Sequence, residues 1–97
     1  MTDKEKFNII AERIKQKGIN RKTWNGYEYN LWSEGYYLSY REVHGNRIIL
    51  LEKETEVIGD EYIDYWCDQY TPDDFNFEYF SDNATAFLDI YEDLIND

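Results

Sequence analysis

The sequence predicts a small single-domain α+β protein, and three patterns lead to this prediction. An amphipathic helix is expected near the N-terminus, three antiparallel strands form a meander in the middle of the chain, and a further helix follows near the C-terminus. The length of 97 residues corresponds to one domain, residues 1–97. With 42% hydrophobic and 19% aromatic residues, the chain is able to bury a core.

The N-terminal helix is predicted over residues 3–17. Thr2 and Glu5 have the spacing of a capping box, in which each side chain accepts a hydrogen bond from a backbone N–H of the other residue. Apolar residues then recur at i, i+3 and i+7, namely Phe7, Ile10 and Ile14. The helix is therefore expected to pack through one apolar face.

The meander is predicted from three runs of strand-forming residues, at residues 27–32, 36–43 and 47–53. Gly45 lies between the second and third runs and can take the positive φ that a tight hairpin needs. The third run contains consecutive apolar residues from Ile48 to Leu51, so both of its faces are apolar. This strand is therefore expected to lie inside the sheet.

The segment after the meander is predicted to be partly helical and partly extended, and to end in a helix. Asp60 fits the cap of a helix, and apolar residues follow Asp60 at helical spacing: Tyr62, Ile63, Trp66, Cys67 and Tyr70. A strand over residues 62–67 is the alternative. A short extended segment is expected over residues 75–79. The last helix begins at Ser81 or Asp82, and its apolar stripe consists of Ala84, Phe87, Leu88, Tyr91, Leu94 and Ile95.

Charge is divided unequally along the chain, whose net charge is −11. Residues 1–53 contain all ten Lys and Arg and seven acids, a net charge of +3, whereas residues 54–97 contain fourteen acids and no Lys or Arg. Direct binding to nucleic acid or to an anionic membrane is disfavoured, because attraction to phosphates needs clustered cations. Such an asymmetry is typical of an interaction surface, here one for a basic protein.

The sequence predicts neither an enzyme nor a cofactor or metal site. His44 is expected to be an exposed turn residue. Cys67 is expected to be a buried thiol whose pKa is raised by nearby acids, so neither residue is suited to catalysis. Asp74, Asn76 and Glu78 are spaced like the first ligands of an EF-hand, but a tyrosine stands where that loop requires glycine. A single cysteine cannot form an internal disulfide, which favours a reducing, cytoplasmic setting.

The candidate partner-binding residues are acids and aromatic residues of the C-terminal half. Three observations favour a binding surface over a solvated face that only raises solubility. The acids have no neighbouring cations in sequence, several lie at the C-terminal end of the last helix against its dipole, and aromatic residues alternate with them. The predicted contact residues are Glu61, Asp64, Tyr65, Asp68, Tyr70, Asp73, Asp74, Glu78, Asp89, Glu92 and Asp93.

In size and composition the chain resembles small acidic phage inhibitors of host defence nucleases, such as anti-CRISPR and antirestriction proteins, although no motif assigns it to a family. The resemblance implies a DNA mimic that occupies the nucleic-acid channel of a CRISPR effector or a related nuclease. Two alternatives are open. One is an immunity protein or antitoxin that neutralises a cognate toxin. The other is an adaptor that binds another protein through the tyrosine-rich meander, Tyr27, Tyr29, Tyr36, Tyr37 and Tyr40.

Overall fold

The computed structural model describes residues 1–54, 56–63 and 66–97, with the backbone alone at 56–58 and 61–63. Its main part is a five-stranded antiparallel sheet that carries the helices on one face, around one hydrophobic core. This architecture confirms the α+β class, the single domain and the N-terminal helix. The three-stranded meander is only part of the sheet.

Helix α1 spans Asp3–Lys17, as predicted, and begins with the expected capping box. Glu5 donates its backbone N–H to Thr2 Oγ1 over 3.2 Å, and Thr2 donates its own N–H to Glu5 Oε1 over 3.2 Å. The Thr2 hydroxyl also donates to Glu5 Oε1, and the bonds that the Thr2 N–H and hydroxyl donate to this carboxyl lower its pKa. The apolar face of α1 is fully buried and consists of Phe7, Ile10, Ala11 and Ile14.

The strands follow in two sheets. The strand bounds are β1 Ile19–Thr23, β2 Gly26–Ser33, β3 Tyr36–Val43, β4 Asn46–Lys53, β5 Glu56–Ile58, β6 Glu61–Ile63 and β7 Trp66–Tyr70. The large sheet has the order β1-β2-β3-β4-β7, with every neighbouring pair antiparallel. The small sheet is a hairpin of β5 and β6. Strand β4 lies between β3 and β7, which confirms its predicted interior position.

The register decides which side chains face the helices. Tyr29, Tyr40, Ile49 and Tyr70 stand opposite one another across β2, β3, β4 and β7, and all four contribute to the core. Successive residues of a strand point to opposite faces, so Trp32, Tyr37 and Cys67 belong to the other face of the sheet.

The two hairpins of the predicted meander close through two-residue turns with positive φ at both positions. His44 has a φ of 51° and Gly45 a φ of 78°, and Glu34 and Gly35 have 53° and 82°. This is the backbone of the turn type that matches the twist of antiparallel strands, so the expectation for Gly45 is confirmed. His44 is exposed, also as expected.

The helix predicted from Asp60 is wrong. The structure has the hairpin strand β6 and the sheet strand β7 in its place, separated by residues that lie outside the described part of the chain. Tyr62, Trp66 and Tyr70 are spaced by four residues, a separation that returns to the same side of both a helix and a strand. The spacing was therefore compatible with both structures, and the alternative of a strand was the better one.

The C-terminal layer also differs from the prediction. The extended segment expected over residues 75–79 is wrong at 77–79, where helix α2 begins and runs over Phe77–Asn83. Asn76 caps this helix, since its side chain accepts the N–H of Tyr79 over 2.9 Å. A 3₁₀ turn at Thr85–Phe87, helix α3 at Leu88–Tyr91 and a 3₁₀ turn at Glu92–Leu94 replace the single last helix. Of the predicted stripe, Leu88 and Ile95 are exposed, and Ile90 is buried in addition to the other members. None of the described helices is long and apolar enough to cross a bilayer.

Aromatic rings dominate the contact between this layer and the sheet. The Phe80 ring on α2 is fully buried and lies between 5.4 and 5.6 Å, centroid to centroid, from the rings of Phe75, Tyr70 and Tyr91. The Tyr91 hydroxyl donates to the Ser81 carbonyl over 2.9 Å and so ties α3 to α2. Burial of such large rings is the main favourable contribution to packing in a domain of this size.

A hydrogen-bonded network joins α1 to the sheet. Tyr27 and Tyr40 both donate their hydroxyl hydrogens to Glu42 Oε2. Arg47 donates from Nε to the Tyr40 hydroxyl over 2.8 Å and from a terminal nitrogen to Asn8 Oδ1 on α1 over 2.7 Å. The hydroxyl of Tyr27, followed by that of Tyr40, lowers the pKa of the Glu42 carboxyl.

Candidate acidic interaction surface

Three of the predicted contact acids form ion pairs with α1. Asp73 lies 3.4 Å from the ammonium of Lys4, Asp89 lies 3.3 Å from that of Lys17, and Asp93 lies 2.6 Å from a guanidinium nitrogen of Arg13. We call Asp73, Asp89 and Asp93 the paired acids. Charges that are separated in the sequence are therefore partly brought together by the fold.

Arg13 makes the most extensive of these contacts. Its two terminal nitrogens donate to both oxygens of Asp93, over 2.6 and 2.8 Å, and one of them also donates to the Ile90 carbonyl over 2.6 Å. The hydrogen bonds from Arg13 lower the pKa of the Asp93 carboxyl, and those to Asp93 raise the pKa of Arg13. The expected conflict between Asp93 and the helix dipole is therefore offset by a cation from α1.

Three exposed acids of the same layer have no such partner. Glu78 and Asp82 lie one turn apart on α2, and Glu92 follows α3. Within the described part of the chain, no cation lies within ion-pair distance of any of the three. We call Glu78, Asp82 and Glu92 the open acids. Glu78 and Glu92 belong to the predicted surface, Asp82 is additional to it, and no ion pair in the described residues neutralises any of the three.

An open groove of about 520 Å³ lies between the first turns of α1 and helix α2, and we call it the helical groove. Two of the open acids line it, and its main lining residues are Asp3, Lys6, Phe77, Glu78, Asp82 and Ile95. Lys6 is only 8% exposed, and its ammonium lies 4.3 Å from the centroid of the Phe77 ring. The groove thus combines a carboxylate rim with the ammonium group of a largely buried lysine.

The remaining predicted acids have local roles or lie elsewhere. Asp74 is exposed and accepts the backbone N–H of Thr71 over 2.6 Å, which closes the turn before α2. Asp68 is half-buried on β7. The backbone of Glu61 belongs to β6, whereas Asp64 and Tyr65 lie outside the described residues. The structure therefore does not gather these residues and the open acids into one site.

Tyr70 does not match its predicted role as a surface anchor. The residue is 5% exposed and packs edge-on against Phe75 and Phe80. Its hydroxyl is buried and has no hydrogen-bond partner in the described residues. Burial raises the pKa of this hydroxyl, and the negative charge of Asp68 raises it further. Tyr70 is therefore a core residue, and it was misassigned because aromatic residues of strands and of interfaces look alike in a sequence.

The tyrosines of the meander mostly face the core. Tyr40 is fully buried, and Tyr27, Tyr29 and Tyr36 are half-buried against the core cluster. Only Tyr37 belongs to the opposite face of the sheet. Between residues 19 and 53, the exposed aromatic residues are instead Trp24, which is 94% exposed in the turn after β1, and Trp32, which is 59% exposed on β2. The alternation of Trp32 with Tyr29 and Leu31 in the sequence would have placed it on the outer face.

Cys67 is exposed on β7, so the prediction that it is a core residue is wrong. Partial burial raises the pKa of its thiol, and the charges of Glu52 and Asp68 add to this effect, as predicted from the neighbouring acids. In the described residues, no group of three or more His, Cys, Asp and Glu side chains is arranged to hold a metal ion.

Of the residues that line the helical groove, only Glu78 is a predicted contact. Asp82 is predicted from the sequence as a possible helix cap, and Lys6 is not singled out there. Asn is a preferred N-cap residue, so a helix that begins after Asn76 could have been predicted from the sequence. Such a helix contains both Glu78 and Asp82 and places them one turn apart. Comparisons with protein families, with curated proteins and with solved structures find no match for this chain.

Proposed function

We propose that this chain is a non-enzymatic acidic protein that binds a basic surface of another protein and blocks it. The observation that supports this most is the contrast between the paired and the open acids. The cations of α1 neutralise Asp73, Asp89 and Asp93, while Glu78, Asp82 and Glu92 face solvent without a cation in the described residues. Solvent-facing charges of one sign attract a partner of the opposite sign and speed its association.

The partner class follows from the chemistry of basic surfaces. Proteins that bind nucleic acid carry clustered Lys and Arg along the path of the phosphates. Carboxylates accept bidentate hydrogen bonds from Arg, so an array of them can occupy such a path in place of phosphates. We therefore propose a nucleic-acid-binding enzyme as the target, such as a CRISPR effector or another nuclease, and a cytoplasmic setting. An immunity protein or antitoxin would use the same surface against a cognate toxin.

A second candidate function is supported by the exposed tryptophans. Trp24 and Trp32 present large apolar area to solvent, and Trp is enriched at the centres of protein interfaces. An adaptor that binds through the sheet would use these residues rather than the inward-facing tyrosines. Its complex would tolerate loss of the open acids and would be weakened by Trp32→Ala.

The test is capture of basic proteins from a host lysate, pre-enriched on heparin, by the immobilised chain. Attraction between exposed charges is screened beyond about 10 Å at 0.1 M salt and beyond about 3 Å at 1 M salt, so the complex should form at the first and dissociate at the second. A Glu78→Gln/Glu92→Gln variant should lose most of the captured partner. The matched control, Glu12→Gln/Glu34→Gln, removes the same charge from the N-terminal half and should retain it.

The captured partner then allows a direct assay of inhibition. Addition of the wild-type chain should displace a fluorescent oligonucleotide from that partner, and the Glu78→Gln/Glu92→Gln variant should displace less of it at equal concentration. Capture that persists at 1 M salt and is equal for both variants would contradict the proposed function.

A further inference from the structure

Lys6 lines the helical groove, and the described residues do not use the hydrogen-bonding capacity of its ammonium group. An ammonium group has three N–H donors. The Phe77 ring contacts the Lys6 ammonium from one side, and the described residues supply neither a carboxylate nor another hydrogen-bond acceptor for it. These donors are therefore available to an incoming oxygen, and a hydrogen bond from a charged donor is stronger than one between neutral groups.

The rim of the groove carries carboxylates, which need hydrogen-bond donors instead of acceptors. Glu78 and Asp82 are four residues apart on α2, a spacing that places their side chains about 5–6 Å apart on one face of the helix. Asp3 adds a third carboxylate from the first turn of α1. None of these three carboxylates forms an ion pair in the described residues. A planar guanidinium with its five N–H donors can bridge two carboxylates at this spacing.

Both requirements are met by one type of ligand. We propose that the helical groove binds a basic amino-acid residue, arginine in particular, with its guanidinium on Glu78 and Asp82 and its carboxylate or carbonyl oxygen on Lys6. The groove volume of about 520 Å³ is large enough for one such residue. The inference stands on the groove and goes beyond the proposed function. The same chemistry is offered by free arginine and by an arginine at the end of a peptide chain.

Three small molecules test separately the contact with Lys6 and the contact with the carboxylates Glu78 and Asp82. Arginine carries both groups, agmatine lacks the carboxylate, and citrulline lacks the positive charge. In a titration followed by two-dimensional ¹H–¹⁵N NMR, arginine should shift the amide signals of Phe77, Glu78, Ser81 and Asp82. Agmatine should bind about tenfold more weakly, which corresponds to the loss of one charged hydrogen bond, and citrulline should leave these signals unchanged.

Variants of the protein test which residues make each of these two contacts. Lys6→Met should abolish the preference for arginine over agmatine, while Lys4→Met, which removes a cation outside the groove, should leave that preference intact. Asp82→Asn should weaken arginine binding about tenfold, whereas Glu92→Gln, outside the groove, should not. If Lys6→Met does not fold, the comparison of ligands on the wild-type protein decides alone. The peptide Gly-Gly-Arg and its C-terminal amide, tested beside free arginine, show which source the groove prefers.

Equal binding of arginine and agmatine to the wild-type protein, or equal shifts with citrulline, would overturn the proposal. Shifts spread over all the exposed acids instead of the groove would do so as well. The outcome is distinct from that of the capture experiment. Salt-sensitive capture without arginine binding supports the proposed function alone, and arginine binding without capture supports the groove alone.

Discussion

The C-terminal helices carry acids on two faces, and the fold treats these faces differently. On the face toward α1, Asp93 is held by Arg13 through two hydrogen bonds. On the face toward solvent, Glu78 and Asp82 repeat along α2 at the rim of the helical groove, and neither forms an ion pair in the described residues. The acids of the first face are held by hydrogen bonds within the fold, and those of the second carry charge that no ion pair in the described residues neutralises. The difference teaches that net charge alone does not identify a binding surface, because part of it is neutralised internally.

The largest effect is expected at the aromatic contact beneath both faces. Phe80→Ala should lower the free energy of unfolding by about 3–5 kcal/mol, since a fully buried ring is lost and a cavity remains among Phe75, Tyr70 and Tyr91. Tyr79→Ala removes a half-exposed neighbour and should cost less than about 1 kcal/mol. Urea denaturation measures both values, and equal losses would mean that the helices do not pack on the sheet as described.

The next effect is expected on the face toward α1. Arg13→Met should cost about 1–2 kcal/mol, because the Ile90 carbonyl loses its donor and Asp93 loses its partner. Lys4→Met breaks an ion pair between two exposed side chains and should cost less than about 0.5 kcal/mol. Urea denaturation tests both values, since a lower midpoint at an unchanged dependence of the unfolding free energy on urea concentration measures the loss of stability. An Arg13→Met variant as stable as Lys4→Met would show that the contacts of Arg13 with Asp93 and Ile90 do not contribute to the free energy of unfolding.

A smaller effect is expected from pH. The pKa of Asp93 is lowered by Arg13 from its ordinary value of 3.8, so the folded state binds the Asp93 proton less readily than the unfolded state. This contribution to stability is complete above the unfolded pKa and is lost as pH falls through the lower, folded value. The difference in unfolding free energy between wild type and Asp93→Asn should therefore be constant near neutral pH and shrink below about pH 4. A difference that grows on acidification would contradict the Arg13 contact.

The smallest effect on stability is expected on the solvent face. The triple variant Glu78→Gln/Asp82→Asn/Glu92→Gln should change the free energy of unfolding by less than about 0.5 kcal/mol. It relieves repulsion but removes the favourable charge of Glu78 from the first turn of α2, and it breaks no side-chain hydrogen bond or ion pair in the described residues. Thermal unfolding followed by circular dichroism checks this. A large loss of stability would mean that the open acids are structural, and it would remove the basis of the proposed function.

The sequence was most informative where one pattern excluded the others. The capping box of Thr2 and Glu5 and the i, i+3, i+7 spacing on α1 fit only a helix, and its predicted bounds are confirmed. The run from Ile48 to Leu51 fits an interior strand, and β4 is one. Where a spacing of four residues satisfies both helix and strand, as at Trp66 and Tyr70, the pairing of β7 with β4 decided the structure, and that contact is not visible in a local pattern.

The candidate surface was predicted in outline and not in detail. Charge segregation correctly located the acids on the outside of the C-terminal layer, since Glu78, Asp89, Glu92 and Asp93 are all exposed. It could not show which acids meet a cation, because Arg13 and Asp93 are 80 residues apart in the chain and are joined only by tertiary packing. The burial of Lys6 against Phe77 depends on the same packing.

The exposed tryptophans have a consequence for spectroscopy. All three lie in the described residues, and none is buried: Trp24 and Trp32 are largely exposed, and Trp66 is half-buried, 6.0 Å from the Tyr36 ring between centroids. Indole emission depends on contact with water, so the native protein should already fluoresce at a long wavelength and change little on unfolding. The same property makes Trp24 and Trp32 sensitive reporters of any molecule that covers the sheet, because docking would shift their emission to shorter wavelength.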